Sequence, residues 1–120
     1  MDYAQIKKIL DSLDDPVQKL EYVMEVGKSL PTPPAGVQCS EIVGCTSFVQ
    51  ICRDGNKFYG TADSELVRGI LTIILSIVDG KTSDEIRELD LFTAFADLKI
   101  NIGAARLNGV NSMIRFLKNL

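Results

Sequence analysis

The sequence has no histidine and no tryptophan among its 120 residues, and it contains only three cysteines. Without histidine, neither Cys–His nor Ser–His catalysis is possible, and a zinc site loses its usual nitrogen ligand. Residues 1–5 lack the basic patch and apolar run that open a secretory signal. An odd number of cysteines without an export signal indicates free thiols in a reducing compartment. We therefore expect a cytoplasmic protein with no metal site.

Charge and hydropathy exclude two further classes. The net charge is −3 and the isoelectric point is about 4.9, so binding to the polyanionic backbone of nucleic acid is not expected. The longest apolar stretch, residues 66–78, contains Arg68 and is shorter than the roughly 20 residues that span a membrane. Hydrophobic residues make up 46% of the chain and charged residues 24%, as in ordinary globular proteins. Residues 1–120 are thus expected to form a single domain.

Two helices are predicted at the amino-terminal end. The first is indicated by Ile6, Ile9, Leu10 and Leu13 at helical spacing. The second begins after Asp15 as N-cap, has Pro16 at its first position, and ends at Leu30 before a proline-rich loop. Its buried face is expected to contain Val17, Leu20, Met24 and Gly27.

A hairpin and further helices follow. Residues 48–52 and 58–61 are strand-like and flank the turn sequence Asp54-Gly55-Asn56. Asp63 or Ser64 caps an almost wholly apolar helix, which belongs in the core and ends at Gly80. Further helices are indicated by Thr82 with Glu85, by Asp90 before Phe92 and Phe95, and by Leu107, Val110, Ile114 and Leu117. This order predicts an α+β fold in which a small antiparallel sheet, the hairpin plus one further strand, packs against helices from both ends of the chain.

Cys45 is the residue best placed to carry chemistry. It follows Gly44, whose backbone turns freely, and precedes a predicted strand, so its thiol is expected to be approachable. A free thiol has a pKa of about 8.5 and needs a cation, backbone N–H groups or a partner protein to become a good nucleophile. The alternative is that Cys45 is a small buried hydrophobic residue. The residues alone leave both interpretations open.

Four segments lie at residues 20–31, 43–51, 62–64 and 106–113, and in this order they resemble segments of the SufE family. The segment from Val43 to Ile51 resembles its active-cysteine motif, usually Gly-Cys followed by Gln-Ser-Gln-Val-Trp. Residues 20–31 resemble the end of its Tyr-containing helix, which closes on Gly, two polar residues and Leu-Pro. Residues 62–64 are similar to its acid–serine turn, and residues 106–109 before Met113 resemble its terminal Arg-x-(Asn/Gln)-Gly helix start.

The resemblance implies a sulfur acceptor. Members of the family take persulfide sulfur from a cysteine desulfurase, stimulate that enzyme, and pass the sulfur toward an iron–sulfur scaffold. By this resemblance Cys45 is the accepting cysteine, with Gly44, Ser47 and Arg106 in support. The chain is then an activator and acceptor rather than a stand-alone enzyme; it needs no cofactor, because the pyridoxal phosphate belongs to the desulfurase. Where the family usually has Gln, Gln and Trp, this sequence has Thr46, Phe48 and Gln50, and these departures bear on partner choice.

Arg106 near the start of the last helix opposes the helix dipole, which suggests that it braces the Cys45 loop or meets a partner carboxylate; otherwise it is a solvated surface arginine. The apolar neighbours of Cys45 are expected to cover its thiol and raise its pKa: Ile42, Val43, Phe48 and Val49.

The other two cysteines leave alternatives open. Cys39 is either incidental or a resolving thiol for Cys45 in a thiol-redox protein, although no CxxC motif is present. Cys52 is expected in the core.

Besides the sulfur acceptor and the thiol-redox protein, a third alternative for the function is a non-catalytic adaptor in which Cys45 is structural.

Overall fold

The computed structural model describes residues 2–120, and within them the chain forms six helices and three strands. The three strands form one antiparallel sheet in the order β1-β2-β3. This confirms the predicted α+β class. In residues 2–120 no helix combines the length and apolar character of a membrane span. The elements are α1 (Tyr3–Asp11), α2 (Pro16–Gly27), β1 (Gln38–Glu41), β2 (Val49–Asp54), β3 (Lys57–Ala62), α3 (Glu65–Val78), α4 (Ser83–Arg87), α5 (Leu91–Ala96) and α6 (Ala104–Lys118).

The helix starts follow the capping residues of the sequence. The carboxylate of Asp15 accepts a hydrogen bond from the Val17 N–H, and the Ser64 hydroxyl accepts one from the Val67 N–H. Thr82 and Glu85 form a reciprocal capping box. These contacts confirm the predicted starts, because each depends only on residues adjacent in the chain.

The end of α2 differs from its prediction. The helix ends at Gly27, and the N–H groups of Lys28, Ser29 and Leu30 bond to carbonyls three residues back. A turn with this spacing is tighter than an α-helix. The chain therefore leaves the helix three residues before Leu30, the predicted end.

α2 and α3 cross with their backbones in contact. A Cβ on Gly27 would lie 2.7 Å from the backbone nitrogen of Gly69, and a Cβ on Gly69 would overlap the Val23 carbonyl. This crossing turns Val23, Val26 and Gly27 toward the core. The predicted face of α2 is therefore wrong at Val17, whose side chain is 60% exposed.

α6 packs against α3 and closes the core. Val110, Ile114 and Leu117 are buried, as the apolar spacing predicts, and Met113 lies beside them. Leu107 was expected on the same face, but it lies in the first turn of α6 and is 46% exposed. The buried face of α6 therefore begins only at Gly109.

Cys39 and Cys52 form a disulfide, with an S–S distance of 1.99 Å and a Cα–Cα distance of 4.0 Å. The antiparallel register places these residues directly opposite each other on β1 and β2. Because the Ile42 N–H bonds to the Val49 carbonyl, the Cys39–Cys52 pair falls at a non-hydrogen-bonded position, where side chains lie closest. Cys52 is buried, as predicted, but the expectations of an incidental Cys39 and of free thiols throughout are wrong.

Candidate functional site

Residues 42–48 form a loop that leaves β1 and returns to β2. Its base is held by the hydrogen bond from Ile42 N to Val49 O, 2.8 Å long. Gly44 has a φ of +100°, a conformation that side-chain-bearing residues rarely adopt. A Cβ at Gly44 would also overlap the hydroxyl of Ser112 on α6. Glycine at this position thus allows both the turn of the loop and its close approach to α6.

Cys45 rests directly against α6. Its Sγ lies 3.7 Å from the carbonyl oxygen of Gly109, to which the thiol donates a weak hydrogen bond. A Cβ at Gly109 would lie 3.2 Å from this sulfur, closer than most such contacts. Glycine at position 109 therefore makes room for the thiol.

A small cavity lies between the loop and the helices. Its space for water-sized groups is about 10 Å³, which is about enough for one water molecule. Four of its residues are buried apolar side chains: Val67, Ile70, Val110 and Met113. The others are Cys45, Thr46 and Ser47 from the loop and Ala105, Arg106 and Gly109 from α6.

Partial burial raises the pKa of the Cys45 thiol above its ordinary value, with desolvation as the cause. At neutral pH the group is therefore a neutral thiol and a slow nucleophile until something assists its ionisation. The prediction of which residues cover the thiol is only partly correct. Ile42 and Val49 are buried, but Val43 is 85% exposed and Phe48 is 38% exposed. The cover comes mainly from α3 and α6, because the loop folds back onto those helices.

Arg106 is the third residue of α6 and lies at the cavity with its side chain exposed. One guanidinium nitrogen, Nη1, donates a long hydrogen bond of 3.5 Å to the carbonyl oxygen of Ile102. Within the described part of the chain, no carboxylate forms an ion pair with Arg106. The guanidinium thus lies at the same cavity as the thiol and is available to an anionic group of a substrate or partner.

The structure brings together three of the four residues that the sequence singled out. Cys45, Ser47 and Arg106 line the same cavity, and Gly44 shapes the loop that carries Cys45. Cys39 is bonded to Cys52, so it forms no pair with Cys45 here, and Cys45 is the one free cysteine.

The contact of Ser112 with Gly44 and the roles of Val67 and Ile70 in the cavity were missed from the sequence. Only the helical spacing of Ser112 from Gly109 hinted that it faces the loop.

Comparison with known proteins gives consistent matches over the chain. The family model of the SufE, Fe–S metabolism associated domain matches residues 4–120. An uncharacterized SufE-like protein of Rhizobium meliloti is 33% identical over 97% of this chain and 94% of its own length. The sulfur acceptor protein CsdE of Escherichia coli is 30% identical, over 79% of this chain and 71% of its own.

One solved structure has the same fold. The solution structure of a hypothetical protein from Thermus thermophilus matches with a TM-score of 0.71 and 17% sequence identity. The match covers 98% of this chain and 90% of that one. At this identity the likeness concerns the fold alone.

Proposed function

The chain belongs to the SufE family, and from that premise we propose that it is a sulfur acceptor of iron–sulfur metabolism whose accepting atom is the Sγ of Cys45. The observation that carries the proposal is the position of Cys45, the one free cysteine, at a small cavity on a glycine-shaped loop. The similarity to a protein named as a sulfur acceptor, CsdE, supports the same role.

The chemistry assigned to Cys45 is the transfer of one sulfur atom. The thiolate of Cys45 attacks the outer sulfur of a persulfide on the desulfurase. A new S–S bond forms, the bond to the donor cysteine breaks, and the donor leaves as a thiolate. Cys45 then carries a persulfide, and no external oxidant or reductant is consumed. Pyridoxal phosphate belongs to the desulfurase in this scheme, and this chain carries sulfur without a cofactor of its own.

Because the pKa of Cys45 is raised, the proposed mechanism requires the desulfurase to activate the thiol. A thiol that stays protonated at neutral pH accepts sulfur slowly by itself. Docking of the desulfurase supplies the charge or the loop movement that activates it, and removal of the persulfide stimulates the desulfurase in turn. We assign delivery to an iron–sulfur scaffold and a cytoplasmic location as further parts of this proposal.

Intact-mass analysis tests the proposal directly. The protein is incubated with a cysteine desulfurase, pyridoxal phosphate and free cysteine, and we expect an adduct of one sulfur atom that peptide mapping places on Cys45. Cys45→Ser is the matched control and should remain unloaded while melting close to wild type, because the exchange of one half-buried atom changes little buried area. Loading of Cys45→Ser at the wild-type level would overturn the assignment. Normal desulfurase stimulation by Cys45→Ser would instead favour the adaptor alternative.

A further inference from the structure

Ser47 carries a buried hydroxyl that the fold leaves unused. Its Oγ is buried, and among the described residues it has no hydrogen-bond partner. Two other serines have partners: Ser29 and Ser76 donate to the carbonyls of Val26 and Ile73. A buried hydroxyl without a partner is unfavourable for folding, and such groups are rare in native structures. The Ser47 hydroxyl therefore has hydrogen-bonding capacity that the described residues do not use.

The cavity limits what that ligand can be. Ser47 and Cys45 line the same space, whose volume of about 10 Å³ admits one small group. A glutathionyl or cysteinyl group on Cys45 is far too large for it. A single added sulfur is slightly larger than water, and the flexible side chain of Met113 in the wall can adjust to it.

A persulfide on Cys45 would need a hydrogen-bond donor because of its charge. A perthiol is a stronger acid than a thiol, so the outer sulfur of a Cys45 persulfide carries negative charge at neutral pH. Apolar side chains, among them Val67 and Ile70, form much of the surrounding wall. An anion in such surroundings is unfavourable unless a donor stabilises it, and a hydrogen bond to a charged group is stronger than one between neutral groups.

We propose that the Ser47 hydroxyl donates a hydrogen bond to the outer sulfur of a Cys45 persulfide and holds it inside the cavity. The proposal rests on the sulfur-acceptor function and assigns Ser47 as a positioning residue. Arg106 and Thr46 also line the cavity, but both residues are exposed. Ser47 is the lining residue whose unpartnered donor is buried, so it stabilises the loaded state without depending on water.

The test loads sulfur without a partner protein. Inorganic polysulfide transfers one sulfur to the Cys45 thiolate and leaves as a polysulfide shorter by one atom. After desalting, sulfur loss to reduced glutathione is followed for wild type and Ser47→Ala, and the ultraviolet absorbance of the persulfide is titrated with pH. We expect Ser47→Ala to lose sulfur several-fold faster and its persulfide to ionise at higher pH. Its melting temperature should be unchanged or higher, because an unpartnered hydroxyl has been removed.

Two comparisons complete the test. Ser29→Ala removes a hydroxyl that is bonded within its own turn, and it should retain sulfur as wild type does. Ser47→Thr keeps a hydroxyl and should retain sulfur longer than Ser47→Ala; the reverse order would overturn the proposal. Equal sulfur retention and equal titration of the persulfide in wild type and Ser47→Ala would also overturn the proposal, but would leave the acceptor function intact. If wild type takes up no sulfur on Cys45 from polysulfide or from a desulfurase, the acceptor function itself fails.

Discussion

The sulfur of Cys45 lies 3.7 Å from the carbonyl oxygen of Gly109, and no side chain on α6 separates them. Any side chain at position 109 meets this sulfur, since even a Cβ would approach it to 3.2 Å. The loop that carries the thiol is thus seated on a bare stretch of helix backbone.

Gly109→Ala should release the loop without unfolding the protein. Alanine favours a helix interior by about 1 kcal/mol over glycine, which offsets the crowding at Cys45, so the free energy of unfolding should change by less than about 1 kcal/mol. Alkylation of Cys45 by iodoacetamide should become faster, because the sulfur is displaced from the cavity. Asn108→Ala, an exposed neighbour on α6, is the control and should alkylate as wild type does. Unchanged alkylation of Gly109→Ala would show that the contact does not shelter the thiol.

The pH dependence of Cys45 alkylation should reflect its raised pKa. Only the thiolate reacts, so at neutral pH the protein should alkylate more slowly than a peptide of residues 42–48, and its rate should rise at higher pH than that of the peptide. Addition of the desulfurase should accelerate the reaction of the protein. Rapid alkylation of the isolated protein at neutral pH would contradict a sheltered thiol.

The same shift predicts a loss of stability in alkaline solution. Because the folded pKa exceeds the unfolded one, the unfolded chain gives up its thiol proton first as the pH rises. The free energy of unfolding should therefore fall with pH from the unfolded thiol pKa of about 8.5 up to the folded pKa. Urea unfolding of wild type and Cys45→Ser at several pH values measures this, and the fall due to Cys45 should be absent in the variant.

Arg106→Ala should separate partner binding from stability. The side chain is exposed and forms no ion pair within residues 2–120, so its removal should change the free energy of unfolding by less than about 1 kcal/mol. Stimulation of the desulfurase should drop strongly, since loss of an interfacial charge pair weakens binding by about 2–5 kcal/mol. Lys8→Ala, which removes an exposed cation on α1, is the matched control for net charge. Unchanged stimulation of the desulfurase would show that Arg106 has no part in the partner interaction. A melting temperature lowered by many degrees would show that Arg106 stabilises the fold.

Reduction of the Cys39–Cys52 disulfide should lower stability without removing the acceptor thiol. The bond joins residues 13 apart in sequence, and a loop of about this size is stabilised by roughly 3 kcal/mol when it is closed. Urea unfolding with and without dithiothreitol measures the difference. Cys39→Ala should unfold at the same urea concentration in both conditions. Thiol titration in denaturant should count one reactive thiol in the oxidised wild-type protein and three after reduction; three before reduction would contradict the pairing.

Local features of the fold could be predicted from the sequence, because their causes lie within a few residues. The caps at Asp15, Ser64 and Thr82 and the turn at Gly55 are of this kind. The placement of Cys45 in a loop directly after Gly44 also depends only on neighbouring residues in the chain.

Features that depend on packing between distant segments could not be predicted in the same way. The buried face of α2 is set by Gly69, more than forty residues away, and the cover of Cys45 comes from α3 and α6. The pairing of Cys39 with Cys52 depends on the register between β1 and β2, and the sequence marked no strand at residues 38–41.

The disulfide at the base of the Cys45 loop also acts as a tether of fixed length. Cys45 is six residues from Cys39, and the two bonded cysteines hold their Cα atoms 4.0 Å apart. Even with the loop fully pulled out, six residues reach only about 20 Å. In the oxidised protein the donor sulfur must therefore come within that radius of the sheet. After reduction β1 can separate from β2, but Val49, four residues after Cys45, stays paired with Ala62 on β3 and keeps the loop anchored to the sheet at that end.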